Sequence, residues 1–156
     1  MPTTEQDTQQ IEAILERYSK SWEAMDWEGL KSIWDPDYEH LLYIPEERAQ
    51  PIRGWAEIEA YFRHAAGSVI RVRAMQLSDI TIDVCGDTAY AFCQFHFEAD
   101  LRRLTEPFVT GGRDTFILRR TDTAWKVIHY HESRPHLPKR KRILSTAGKA
   151  GHVSSS

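Results

Sequence analysis

The apolar spacing of this chain changes once, at Gly67, and that change limits the folds open to it. Before Gly67 the apolar residues recur every three or four positions, the period of a helix. After it they alternate or run together in β-branched and aromatic stretches, the pattern of strands. A chain ordered in this way builds helices first and then a sheet for them to pack against.

The spacing predicts a first helix over Gln9–Met25, with Ile11, Ile14, Leu15, Tyr18, Trp22 and Met25 on one face and Glu12, Glu16, Lys20 and Glu23 on the other. Asp26 is placed to cap a second helix, Trp27–Trp34. Asp35-Pro36 closes it, because the residue before a proline disfavours helical backbone. Tyr38–Ile44 reads as a short strand, Pro45–Pro51 as a loop, and Trp55–Ala66 as a third helix ended by Gly67.

Beyond Gly67, Val69–Leu77 and Ile80–Val84 read as one long strand with an irregularity at Ser78-Asp79. Gly86-Asp87 turns it into a second strand, Ala89–Ala99. Gly111-Gly112 flanks or breaks the next segment, Arg113–Arg120 is a third strand, and Thr121-Asp122-Thr123 turns it into the last, Trp125–Ser133. The expected class is therefore α+β: three N-terminal helices on a curved antiparallel meander.

The 156 residues suit one domain, expected over 9–138 after a short extension, 1–8. Residues 139–156 open on Lys139-Arg140-Lys141-Arg142 and end in small polar residues, so they read as a basic, poorly ordered tail. Nothing aromatic is interleaved with that run and the net charge is −3, so no nucleic-acid partner is expected. No apolar run approaches a bilayer span and no secretory signal opens the chain; two cysteines, Cys85 and Cys93, form no disulfide framework, and a cytoplasmic protein is expected.

The last strand carries Tyr130 and Glu132 on one face and Val127, His129 and His131 on the other, and one β-bulge would exchange the two sets. Same-face histidines can ligate zinc or iron, which would make a metal-dependent enzyme, but no third ligand stands at a supporting spacing. No phosphate-binding loop, dinucleotide fingerprint or nucleophile elbow is present. Neither metal nor cofactor is expected.

Three helices, a bent sheet and the closing run Trp125-Lys126-Val127-Ile128-His129-Tyr130-His131-Glu132-Ser133, preceded by Asp122–Trp125, resemble the nuclear transport factor 2-like superfamily over about Gln9 to His136. Within it the chain is similar to SnoaL-like domains, to ketosteroid isomerase and to the association domain of calcium/calmodulin-dependent kinase II. The resemblance implies a cone whose helices cover the concave sheet face and leave a pocket, and a dimer packed through the convex face. Arg17-Tyr18, with Asp26 eight residues beyond the tyrosine, is similar to the first helix of the isomerase, which implies that Tyr18 polarises a carbonyl.

The same register puts Leu42 where the isomerase has its catalytic carboxylate, a departure that leaves His40, two residues earlier on that face, as the candidate base. Thr115 falls where the isomerase has a second hydrogen-bond donor. Arg113 lies on the same face, to bind a carboxylate or phenolate or to pair with Glu132 or Asp114. The kinase domain implies that Tyr130 and Glu132 face the pocket. Trp22, Trp34, Phe62 and Phe95 would complete its wall, while Gln94, His96, His129 and His131 would face a second subunit.

The expected catalytic set is Tyr18, His40 and Glu132, in a cofactor-free lyase or isomerase of dehydratase, cyclase or retro-aldol type acting by proton transfer on a small, partly hydrophobic molecule, aromatic ones included. The alternative is a non-catalytic ligand-binding or oligomerisation domain like that of the kinase.

Overall fold

Thr3 starts the first helix earlier than the apolar spacing implies. Its side chain accepts from the Gln6 backbone while the Gln6 side chain reaches back to the Thr3 N–H, a reciprocal cap. The computed structural model describes residues 3–135. The helices are α1 (Thr4–Ala24), α2 (Trp27–Ser32) and α3 (Trp55–Ser68), and the strands are β1 (Leu42–Ile44), β2 (Ile52–Arg53), β3 (Val69–Cys85), β4 (Thr88–Leu101), β5 (Phe108–Arg120) and β6 (Trp125–Ser133). The extension expected over 1–8 is thus taken into α1 from Thr4 onward. The basic run at 139–142 lies outside the described residues.

The strands form one curved sheet in the order β2-β1-β6-β5-β4-β3. β3 to β6 make the expected antiparallel meander, while β1 runs parallel to β6. β3 carries the irregularity read at Ser78-Asp79: its register with β4 shifts between Ser78 and Thr81, and Asp79 takes a left-handed φ of 51°. Gly111-Gly112 does not break β5, which starts at Phe108. A Cβ on Gly112 would stand 2.2 Å from the Ser133 carbonyl oxygen, so glycine here is a close approach between strands.

Helix α1 lies across the sheet through Ile11, Leu15, Tyr18 and Trp22, all buried. The Tyr18 ring stands edge-on to Phe116 of β5, 5.1 Å between centroids. The segment after α2 is sewn to β6, with the Val127 N–H donating to Ile33 and the Asp35 N–H to Val127.

Asp7 ties the start of α1 to the β5–β6 hairpin. Its carboxylate accepts from both terminal nitrogens of Arg120, at 2.6 and 2.8 Å, and from the Trp125 indole at 3.0 Å. The Arg120 bond, then the indole bond, lower its pKa from 3.8 to about 2. A carboxyl whose pKa drops on folding stabilises the fold above its unfolded value and loses that contribution as pH falls through the folded one. Asp7→Asn is therefore expected to lower the melting temperature at neutral pH, with the gap to the native protein closing between about pH 4 and pH 2. Thermal melts across that range check it; a gap that persists at pH 2 would contradict the ion pair as its source.

Candidate active site

Between the helices and the sheet lies a cavity of about 570 Å³. Its inner end is made of buried side chains, Tyr18 and Trp22 from α1, Tyr43 from β1, Met75 from β3 and Phe95 from β4. Glu132 of β6 reaches the same space. Exposed residues, including Arg48, His64, Arg102 and Arg103, form its mouth.

Faces of the sheet decide which groups arrive there. Asp114, Phe116 and Leu118 are buried on the helix side of β5, and Trp125, Val127 and Tyr130 on that of β6. Both odd and even positions of β6 face inward because the register shifts once: Ile117 pairs with His129 but Leu118 pairs with Val127, leaving Ile128 as the extra residue of a bulge. The bulge brings Trp125 and Val127 to the inner face without displacing Tyr130 and Glu132 from it. It also sets Asp114 opposite Glu132.

At the inner end, Tyr130 Oη is the hub of a network. It stands 2.9 Å from Tyr18 Oη, 2.8 Å from Asp114 Oδ1 and 2.7 Å from Glu132 Oε2. Three hydrogen bonds on one oxygen need three hydrogens, and the two phenols bring only two. A carboxylic acid supplies the third, so Asp114 and Glu132 hold one proton between them. Burial, reinforced by the Glu132 charge, pushes the Asp114 carboxyl up to about 8. Burial likewise takes Glu132 up to about 7, opposed by the Glu46 N–H, which donates to Glu132 Oε1 at 2.8 Å. Asp114 is fully buried and keeps the proton longer; Glu132, at the cavity, loses it first. Burial raises Tyr18, Tyr43, Tyr61 and Tyr130 well above the ordinary phenol range, so all four are neutral donors near pH 7.

Tyr18, Trp22, Phe95 and Glu132 line the cavity as read from the sequence, and Tyr130 stands behind Tyr18 and Glu132. Six other candidates fall elsewhere. His40 is in the turn before β1, its side chain 74% exposed against Glu39, because the strand begins at Leu42 and not at Tyr38. Leu42 points to the outer face, and Tyr43, which pairs in register with Tyr130, takes the inward place. Thr115 also points outward, and Asp114 occupies the donor position expected of it. Arg113 is exposed on that outer face, beside Gln94 and Ser133, and makes no salt bridge to Glu132 or Asp114. Trp34 and Phe62 are buried behind the wall, packed on Tyr43.

Asp114 was missed, although its signal was present: it alternates with Phe116 and Leu118, two fully buried apolar residues of that face. On the outer face, Gln94, His96 and His131 are exposed and His129 is half-buried. The rings of His129 and His131 are 6.4 Å apart, and among the described residues no three His, Cys, Asp or Glu side chains converge as a metal-binding group.

A family model described as a SnoaL-like domain matches residues 11–137. No curated protein matches the chain. Among solved structures, a nuclear transport factor 2-like superfamily protein from Salmonella enterica superposes with a TM-score of 0.77 at 24% identity, covering 87% of this chain and 96% of that one. A provisionally named dehydratase of the same family from Streptomyces avermitilis gives 0.74 at 20% identity, over 85% and 99% of the two chains. A provisionally named scytalone dehydratase from Novosphingobium aromaticivorans gives 0.71 at 14% identity, over 83% and 84%.

Proposed function

Because the chain belongs to the SnoaL-like domain family of nuclear transport factor 2-like proteins, whose cone holds a small-molecule pocket, we propose that it is a cofactor-free lyase or isomerase acting by acid–base proton transfer, with Glu132 as base and Tyr18 as hydrogen-bond donor. One observation carries this: two side chains that line the cavity, the Glu132 carboxylate and the Tyr18 phenol, are both hydrogen-bonded to Tyr130 Oη, with a carboxylic acid behind it.

The hydrogens explain how the network would work. In the empty site Tyr18 and Asp114 donate to Tyr130, and Tyr130 donates to Glu132. A substrate carbonyl at Tyr18 draws the Tyr18 hydrogen to itself, and Tyr130 turns its own hydrogen to Tyr18. Glu132 then loses a donor and becomes more basic. After it takes a proton from the carbon beside the carbonyl, it donates to Tyr130, while Tyr18 donates to the enolate oxygen. Every bond is again filled. The network is thus short of one hydrogen with bound substrate and complete once the proton has moved, which favours the enolate-like state.

The test is deuterium exchange by NMR in heavy water on a panel of enolisable aromatic ketones, tetralone among them. The native protein is expected to exchange the α-hydrogens of at least one panel member above the buffer rate, and Tyr18→Phe to lose most of that rate. Binding without exchange across the panel would instead favour the non-catalytic ligand-binding alternative.

The outer face supports a homodimer. Two cross-strand rows, Tyr90-Ile117-His129-Leu42 and Phe92-Thr115-His131-Ile44, make a mixed apolar and imidazole surface that, among the described residues, no helix covers, and Tyr90 is 43% exposed. Gln94 and His96 flank it. Light scattering is expected to return twice the chain mass, and Tyr90→Lys with Ile117→Lys to return one; a native monomer at micromolar concentration would refute this. No helix of the described residues is long and apolar enough to cross a membrane, and Cys85 and Cys93 are free thiols, which supports a reducing, cytoplasmic setting.

A further inference from the structure

We infer that the substrate is an anion, carrying a carboxylate or similar group that docks at the cavity mouth on Arg102 and Arg103 while its hydrocarbon body fills the aromatic waist. This rests on the proposed acid–base site, whose reacting end lies at the opposite, buried end of the cavity.

The charges that line the cavity are not balanced where it opens. Glu46 is committed: it accepts from Arg134 and from Thr110. Glu47 accepts from Tyr61 at 2.6 Å, with Arg48 lying 5.4 Å over the Tyr61 ring. Glu132 is at the inner network. Arg102 and Arg103, in the turn after β4, form no salt bridge among the described residues. Arg102 is also oriented: its Nε donates to the Gly67 carbonyl at 2.7 Å at the end of α3, and its backbone N–H donates to Ser68 at 2.9 Å. The remaining N–H groups of that guanidinium keep a fixed fork suited to a carboxylate.

A positive mouth on a chain of net charge −3 is a local departure from the whole, and such a mouth concentrates anions. Between mouth and network the wall is aromatic, with Trp22, Phe95, Phe97 and Phe108. The arrangement fits an aromatic acid whose enolisable end points inward.

Two fluorescent probes share one aromatic scaffold and differ in a single charge: anilinonaphthalene sulfonate, an anion, and N-phenylnaphthylamine, which is neutral. The native protein is expected to bind the anion roughly tenfold more tightly than the neutral probe, with the preference shrinking as salt is raised. Arg102→Gln with Arg103→Gln is expected to weaken the anion by a similar factor and leave the neutral probe within about twofold. Ala65→Trp, which fills the cavity wall, is expected to abolish both signals. Equal binding of the two probes, an anion affinity indifferent to the arginines, or anion binding that survives Ala65→Trp would each overturn the docking site. None of these touches the proton-transfer reading, which stands or falls on exchange by Glu132. Failure of both probes to bind would remove the cavity itself, and both proposals with it.

Discussion

Glu132→Gln is expected to lower kcat/KM about 10²- to 10⁴-fold on any substrate the exchange panel identifies, the usual range for loss of a positioned general base. Glutamine keeps the length and shape of the side chain and can still accept from the Glu46 N–H, the bond that glutamate makes at 2.8 Å. It can also donate to Tyr130. What it cannot do is take a proton. The unfolding midpoint should therefore move little while turnover collapses. The pH profile adds a readout that a purely structural role would not move. Activity of the native protein should rise with pH through about 7, as Glu132 gives up its proton. The residual activity of the variant should show no such limb. Retention of full activity, or the same limb in the variant, would refute Glu132 as the base.

The comparison of sequence with structure shows which physical signals are local and which are not. Helix α1 and strand β6 were legible because the buried stripe of one and the apolar run of the other are decided within the element. Trp22 followed from the α1 stripe, while the inward face of Tyr130 and Glu132 came from the resemblance to the kinase domain. His40, Leu42 and Thr115 failed for a shared reason: each depended on where a strand starts or which face it shows, and side chains alternate every residue, so a one-residue error sends every group to the wrong side. β1 starts at Leu42 and not at Tyr38, which loses His40 to a turn and exchanges Leu42 for Tyr43. In β5, Asp114 is the residue opposite Glu132, which exchanges Thr115 for Asp114. The bulge at Ile128 has no marker in Val127-Ile128-His129, since nothing local distinguishes an extra residue in a strand from a paired one. The arginine mouth was out of reach for another reason, since Arg48 and Arg102 come to line one cavity only after about fifty residues of intervening chain have folded.

Asp114→Asn is expected to stabilise the protein, and increasingly so as pH rises from about 4 to about 8. Asp114 is fully buried, and its pKa rises from 3.8 to about 8 on folding. The sign follows from proton binding. Above pH 4 the unfolded chain has released this proton and the folded chain has not, so folding must recapture it, and each unit of pH makes that less favourable. The ceiling is about 1.4 kcal/mol per pH unit, approached only if Asp114 alone holds the shared proton. Asparagine carries no charge at any pH, fits the same volume and keeps an N–H to donate to Tyr130 Oη, so it removes the term without opening a cavity. Titrating groups outside the Tyr130 network cancel in the difference between variant and native protein; Glu132, coupled to Asp114, does not. Urea unfolding at pH 5, 7 and 9 measures it directly: the stability gained by the variant should be small at the first, grow through the second and level off by the third. A gain that does not change with pH would mean that Asp114 folds as an ordinary ionised carboxylate. The hydrogen count at Tyr130 would then have to be met by Glu132 keeping the proton, which would leave the proposed base already occupied near neutral pH.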